Sequence, residues 1–386
     1  MQNFEFHNPT RIVFGKNRIA DLAKLVPTDA RVLILVGGTS AEKTGTLADV
    51  RAALGARMNS TFGGIEPNPE FDTAMKAVQR VRKEGFDFLL AVGGGSVIDA
   101  AKFIAAAVPF EGNPWDILLK SGRNITAAIP FGTVLTLPAT GSEMNNGAVI
   151  TQRAIGAKLS FRSRHLFPLF SVLDPTKTYT LPKQQLANGV VDAFVHTVEQ
   201  YLTYPVNAPV QDRFAEALLQ TLIEIGPRLV TAPDPDYDDR ASLMWVATLA
   251  LNGLIGAGVP QDWATHMIGH ELTALHNIDH ARTLAIVLPS MLNERRIQKR
   301  DKLLQYAQRV WRIEAGTDDE RIDAAIDRTR SFFEKVGIPT RLGAYQLALS
   351  DVNKVIDQLQ AHGMSQLGEQ REVTLEVSRR VLENAL

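Results

Sequence analysis

Four of the chain's eight histidines, His266, His270, His276 and His280, fall within fifteen consecutive residues. An even spread would place about 0.3 histidine in such a window, so the clustering asks for a cause, and metal binding is the leading one. Upstream, Asp192 and His196 are four apart in a helical pattern, and side chains at that spacing share a helix face. Asp262, His266 and His270 share a face by the same rule. His280 follows the short linker Asn277-Ile278-Asp279, near the start of the next helical stretch. Two helices and a loop could thus bring three imidazole nitrogens and one carboxylate oxygen to a single cation. That donor set suits Zn²⁺ or Fe²⁺ and would be unusual for Mg²⁺ or Ca²⁺. No histidine follows His270-Glu271 at the spacing of an HExxH protease. Each histidine taken singly reads more simply as a satisfied imidazole.

A second constellation is built from glycine. The apolar run RVLILV (31–36) ends in Gly37-Gly38-Thr39-Ser40, and FDFLLAV (86–92) ends in Gly93-Gly94-Gly95-Ser96. A helical stretch with Asp99 and Lys102 follows the second turn. Glycine lets backbone approach a phosphate, and the helix start offers free N–H groups and the positive end of its dipole. Residues 93–96 therefore read as a pyrophosphate cradle, although the order is neither GxGxxG nor a Walker A loop. NAD sites usually carry an acid after the second strand to hold the ribose hydroxyls. Residues 37–40 contain none, so the expected coenzyme is NADP(H), with Lys43 near enough to help hold a 2′-phosphate. The hydroxyl-rich loop TLPATGSE (136–143), which follows another strand-like run, is a weak signal by itself.

The elements that must position these groups fall into two textures. Up to about residue 181, continuous apolar runs such as RVLILV, FDFLLAV, TVLTLP (133–138) and FSVLD (170–174) alternate with helical stretches near 41–54, 70–84 and 96–107. Continuous runs fit strands buried on both faces of a parallel sheet, and the alternation reads as an open, doubly wound α/β domain. After Pro182 the pattern is helix after helix, near 183–203, 208–230, 238–256, 261–275, 281–294, 299–312, 318–336 and 369–384. Pro182, Pro227, Pro260 and Pro289 are expected at helix boundaries. The expected organisation is a dinucleotide-binding α/β domain over 1–181 and an all-helical metal-binding and substrate domain over 182–386. The acidic stretch PDPDYDDR (233–240) reads as a solvated turn before a helix, and the basic run from Arg295 to Lys302 as an exposed helix face.

Composition closes off several classes. The 386 residues carry 41 Lys and Arg against 42 Asp and Glu, which speaks against a nucleic-acid or anionic-membrane partner. Cysteine is absent, which excludes disulfides, thiolate metal sites, iron–sulfur clusters and a cysteine nucleophile. No apolar run reaches the length of a membrane span, and MQNFEFHNPTRIVFG alternates like a strand, so the cytoplasm is the default location.

Together the motifs resemble the iron-containing (group III) alcohol dehydrogenase family, most closely its NADPH-dependent aldehyde reductase, butanol dehydrogenase-like branch. The resemblance covers essentially the whole chain. It is carried by GGGSVIDAAK (93–102), TLPATGSE (136–143), NGVVDAFVHTVEQY (188–201) and GAGVPQDWATHMIGHELTALHNIDHARTLAIVLP (256–289). It implies a Rossmann-like N-terminal domain with a parallel sheet and an all-α C-terminal domain, the architecture of dehydroquinate synthase. It implies metal ligands at Asp192, His196, His266 and His280, and His270 as a catalytic residue beside substrate and nicotinamide. For the coenzyme it implies Gly37, Gly38, Gly93, Gly94, Gly95 and Ser96 near the phosphates, and Thr136 and Thr140 on the adjoining loop. Gly38 stands where NAD-preferring relatives carry Asp, and Ser40 would touch the 2′-phosphate. Asp99 and Lys158 match positions toward the nicotinamide. TLPATGSE is shorter than the Thr/Gly run of many relatives. Family members usually pair as homodimers through their N-terminal strands.

The implied reaction is reversible hydride transfer between NADP(H) and a small aldehyde polarised by one divalent metal, zinc or iron, with His270 relaying a proton. Two rivals stay open. One is a dehydroquinate-synthase-like lyase using NAD without net oxidation, which would need a basic pocket. Trp263, Met267, Ile268 and Leu272 instead give the histidines an apolar neighbourhood suited to small neutral aldehydes. The other is a non-catalytic NADP-binding protein.

Overall fold

The computed structural model describes all 386 residues, Met1–Leu386. The central sheet is made of β1 (Arg11–Phe14), β2 (Val32–Val36), β3 (Asn59–Phe62), β4 (Phe88–Gly94), β5 (Phe131–Leu137) and β8 (Phe170–Leu173). An antiparallel hairpin, β6 (Gly147–Gln152) and β7 (Ala157–Arg162), precedes the last of these. The sheet is parallel throughout, in the order β1-β8-β5-β4-β2-β3. The helices of this region are α1 (Leu22–Leu25), α2 (Ser40–Lys43), α3 (Thr46–Leu54), α4 (Phe71–Glu84), α5 (Gly95–Ala107) and α6 (Trp115–Leu119).

The continuous apolar runs follow from burial on both sheet faces. Leu33, Leu35, Leu89 and Ala91 join one core with Ala77, Val81, Ile98 and Phe103 of α4 and α5. Their neighbours Val32, Ile34, Leu90 and Val92 face the other way, into a core with Leu47, Val50 and Leu54 of α3. Successive side chains of a strand point to opposite faces, so a strand covered on both sides is apolar nearly throughout, the buried exceptions being Thr133 and Ser171, which bond each other at 2.7 Å.

The rest of the chain forms α7 (Lys183–Tyr201), α8 (Pro209–Thr231), α9 (Tyr237–Ala250), α10 (Ala264–His276) and α11 (His280–Glu294). These are followed by α12 (Arg300–Arg309), α13 (Asp318–Lys335), α14 (Leu349–Ala361) and α15 (Leu375–Glu383). The two-residue strands β9 (Gln366–Leu367) and β10 (Val373–Thr374) are the exception to an all-helical region. Pro227 and Pro289 lie inside α8 and α11 rather than at boundaries. The 238–256 stretch stops at Ala250, where bends lead into Gly253 and Gly258, both in the left-handed region at φ 90° and 70°. The last helix begins at Leu375, and α14 lies in a stretch where no helix was expected. Asp236 accepts from the N–H of Asp239, so the acidic stretch caps α9.

The chain divides into two compact units. One holds His7–Pro182 and Pro235–Thr248, which is the sheet with its helices and most of α9. The other holds Met1–Phe6, Lys183–Asp234 and Leu249–Leu386. No helix is long and apolar enough to cross a membrane.

Candidate metal centre and coenzyme turn

In the helical unit, one stripe of α7 supplies Asp192 and His196, and the first turn of α10 supplies His266. One ligand atom from each lies within 4.8 Å of the other two, and all three residues are buried. The rings of His196 and His266 stack at 4.6 Å between centroids. His280, the first residue of α11, brings Nε2 to 3.9 Å from Oδ1 of Asp192, and its ring lies 5.2 Å from that of His266. His270 is one turn further along α10, with its ring 4.9 Å from His280 and 6.3 Å from His266.

His276 stands apart, at the far end of α10, where it faces the charges of Asp351 and Lys354. Asp262 also departs from expectation. It precedes α10 and binds Lys299 Nζ at 2.6 Å, because Trp263 takes a left-handed conformation, φ 64°, and starts the helix only at Ala264. Ile268 and Leu272 belong to the core with Val352, Ile356 and Leu359, on the helix face away from His266 and His270. Of the four expected apolar neighbours, Trp263 is the one whose ring meets the histidines, 5.3 Å from His266 and 6.2 Å from His196.

The donor set fits a divalent metal. Burial pushes the imidazole of His196 down to about 4, with His266 acting the same way and Asp192 opposing, so the ring is neutral and ready to ligate at pH 7. Its Nδ1 is buried without a hydrogen-bond partner, and such a group asks for one. Beneath His266 lies Glu199, also on α7, with its carboxylate on His266 Nδ1 and on the N–H of Thr265 at 2.7 Å. Burial, aided by the charge of Asp262, pushes the carboxyl of Glu199 well above the ordinary range. The backbone of Thr265, the charge of Lys299 and the backbone of His266 pull it the other way. Sequence reasoning passed over Glu199, although it is three residues after His196 and seven after Asp192, on the same helical stripe.

The expected basic face is likewise different. Arg295 pairs with Glu372, Arg296 with Asp323, Lys299 with Asp262 and Glu369, Arg300 with Asp318 and Asp319, and Lys302 with Asp212. Arg295, Lys299 and Lys302 are buried, and desolvation removes unpaired cations from such positions.

In the α/β unit, the two glycine turns leave the carboxyl ends of the adjacent strands β2 and β4, where Val36 pairs with Val92. From there the chain passes to β3 on one side and β5 on the other, so the turns flank the point where strand order reverses, the usual place for a ligand in open α/β sheets. The second turn must be glycine for packing reasons. A Cβ on Gly93 would lie 2.5 Å from Val97, one on Gly94 2.9 Å from Leu137, and one on Gly95 2.5 Å from Thr140. Gly37 sits against the carbonyl of Ile65. Gly38 differs: a Cβ there meets nothing within 4 Å, and its φ is not left-handed. Ser40 and Lys43 are exposed nearby.

Behind the second turn, Ser96, Asp99, Thr136 and Thr140 are half-buried. Asp99 accepts from Ser142 Oγ at 2.6 Å and from the N–H of Val149 at 2.9 Å. Burial raises its carboxyl, against the opposing pull of Lys102 and Lys158. Lys102 is fully buried and donates to Ser142 Oγ, Asn145 Oδ1 and the carbonyl of Gly147. Burial brings its amine down to about 8. Lys158 donates to Asn68 Oδ1 at 2.8 Å, and the N–H of Asn68 reaches Ser96 Oγ at 3.4 Å. Asn68, at φ 59° between two prolines, links the turn to Lys158, and only the fold reveals it.

Comparison with known proteins agrees with this architecture. Residues 9–175 match the family model for iron-containing alcohol dehydrogenase, and 186–385 match that for the C-terminal region of the Fe-containing alcohol dehydrogenase family. The chain is 60% identical to the NADPH-dependent aldehyde reductase YqhD of Escherichia coli, over 100% of both chains. It superposes on the crystal structure of that protein with a TM-score of 0.98, covering 100% of this chain and 99% of the other. It is 40% identical to the probable NADH-dependent butanol dehydrogenase 1 of Bacillus subtilis, over 94% of this chain and 95% of the relative. The structure of an NADH-dependent butanol dehydrogenase A from Thermotoga maritima matches at TM-score 0.95 and 34% identity, covering 100% of this chain and 99% of that one.

Proposed function

The chain belongs to the iron-containing alcohol dehydrogenase family, and on that footing we propose that it reduces small aldehydes to primary alcohols, reversibly, with NADPH and one divalent metal, zinc or iron. The observation that carries this reading is the buried convergence of Asp192, His196 and His266. When bound, the coenzyme supplies a hydride and the metal polarises the carbonyl as a Lewis acid, worth several kcal/mol in order of magnitude.

The chain's own residues do the rest. Asp192, His196, His266 and His280 hold the metal, and one carboxylate with three neutral imidazoles leaves a net charge near +1 on the site. Burial of Asp192, His196 and His266 keeps water from competing. His270 holds a proton on its ring and passes it to the product oxygen. The backbones of Gly37, Gly38 and Gly93 to Ser96 cradle the phosphates, and Ser40 takes the 2′-phosphate. Thr136, Thr140, Asp99 and Lys158 line the route to the nicotinamide. Residues 1–181 thus serve the coenzyme and residues 182–386 the metal and substrate.

A lyase acting on a phosphorylated, carboxylated substrate would need spare cations near the metal. Arg295, Lys299 and Lys302 of the helical unit are already engaged by acids. The chain works as a homodimer in the cytoplasm. The pairing is supported by β1, which is an edge strand, and by the exposed rings of Phe4, Phe6 and Phe14.

The test is oxidation of NADPH by butanal, followed by the loss of the reduced coenzyme's absorbance, beside elemental analysis of protein purified without added metal. About one zinc or iron per chain with net NADPH consumption is expected. A metal-free protein that gains no activity on adding either ion would overturn the reading.

A further inference from the structure

We propose that Glu199 is the positioning residue that sets which nitrogen of His266 faces the metal, an inference that rests on the metal reading above.

Asp192, His196 and Glu199 lie on one stripe of α7, at spacings of four and three. The helix that carries His266 starts without a cap of its own: Trp263 stands at the cap position in the left-handed region, and its side chain accepts nothing from the first turn. The first-turn N–H groups are met from elsewhere. Asp262 Oδ1 accepts from Ala264 at 2.9 Å, and Glu199 Oε1 accepts from Thr265 at 2.7 Å. The other oxygen of Glu199, Oε2, sits on Nδ1 of His266. Both Glu199 and His266 are buried, so water does not supply the alternative partners.

Beside a bound cation Glu199 is ionised, and a carboxylate only accepts. The ring therefore carries its proton on Nδ1 and turns the lone pair of Nε2 outward, toward Asp192 and His196. A metal-ligating histidine commonly gives its second nitrogen to a carboxylate in this way, and loss of that partner typically weakens metal binding 10- to 100-fold. Glu199 thus does two things with one side chain: it caps α10 at Thr265 and it presents His266.

The variant Glu199→Gln separates the two. Glutamine keeps the size and one accepting oxygen, enough to cap Thr265. Its other end is an NH₂ donor, which meets Nδ1 with the wrong polarity and favours the ring form protonated on Nε2. Zinc dissociation constants are measured on full-length protein by competition with a chromophoric chelator, and metal-free melting temperatures are taken alongside. Expected is a zinc dissociation constant raised roughly 10- to 100-fold in Glu199→Gln, with little change in the metal-free melting temperature. A constant within threefold of the parent would overturn the proposal, because capping alone would then account for Glu199. Should the variant fold poorly, the parent protein loaded with zinc and labelled with ¹⁵N-histidine answers the same question. His266 is expected to show metal on Nε2 and a proton on Nδ1, and metal on Nδ1 would overturn the proposal. A parent that holds no zinc would sink the metal reading itself, which is a different result from equal affinity in both proteins.

Discussion

Gly38→Asp is the sharpest probe of coenzyme choice. A Cβ at this position meets nothing within 4 Å and the backbone is not left-handed, so the substitution strains nothing and should move stability by less than about 0.5 kcal/mol. What it adds is a negative charge beside exposed Ser40, where the 2′-phosphate is proposed to sit. A carboxylate and a doubly charged phosphate about 6 Å apart, in a medium of effective permittivity roughly 40–60, repel by about 2–3 kcal/mol. That corresponds to a loss of roughly 30- to 150-fold in kcat/KM for NADPH. NADH lacks the phosphate and gains an acceptor for its ribose hydroxyls, so its kcat/KM should hold or rise. Initial rates with butanal and varied coenzyme, at low and at 0.5 M salt, would measure both. Salt should shrink the NADPH penalty, because exposed charges are screened beyond roughly 10 Å at 0.1 M and more tightly above it. An unchanged ratio of NADPH to NADH efficiency in a variant that melts like the parent would refute the argument.

Other expectations concern the buried groups. His266→Ala should abolish bound metal and reduce turnover by roughly 10³-fold, with elemental analysis and rate measured on the same sample; retained metal would count against the ligand assignment. His270→Ala should keep the metal but lower turnover by roughly 10²- to 10⁴-fold, most at high pH where protons are scarce; normal turnover would end its role as a proton relay. Lys102→Met leaves Ser142 Oγ, Asn145 and the Gly147 carbonyl without their buried donor and Asp99 without a nearby cation, and should cost about 3–5 kcal/mol by urea unfolding at pH 7. The amine of Lys102 is held near 8 in the fold and returns to its ordinary value of 10.5 on unfolding. Deprotonation of the amine therefore adds stability that is fully present above pH 10.5 and is lost as pH falls toward 8, over and above the difference at pH 7, and the gap between parent and Lys102→Met should widen by about 3 kcal/mol from pH 8 to 10.5. A constant gap would show that Lys102 does not titrate there.

The sheet was legible where burial on both faces gives a nearly continuous apolar run, as in β2, β4, β5 and β8. Strand β3, with the sequence NSTF, lies at the sheet edge and its residues are only half-buried, so no apolar run marked it. In the hairpin β6–β7 buried residues are interspersed with half-buried and exposed ones, so no continuous apolar run marks it. Helix α14 could have been found: Val352, Val355, Ile356 and Leu359 follow a clean helical spacing. Around the metal, the spacing of Asp192 and His196 carried over directly, and the same counting reaches Glu199. Asp262 misled, because a left-handed Trp263 breaks the helix that the spacing assumed. Asn68 was out of reach, since its link to Lys158 spans ninety residues and has no local pattern.

Helix α9 has a bearing on how the protein can be cut. Its residues up to Thr248 group with the sheet, although fifty-two residues of the helical unit separate them from Pro182. A fragment ending at residue 182 would keep Glu143 but lose Thr248, whose hydroxyl donates to that buried carboxylate, and lose Met244 from the sheet core. Such a fragment should be insoluble, whereas rejoining residues 235–248 through a flexible tether should restore a soluble nucleotide-binding body. The two bodies are interleaved along the polypeptide, so a shuffling scheme that treats them as beads on a string will break both.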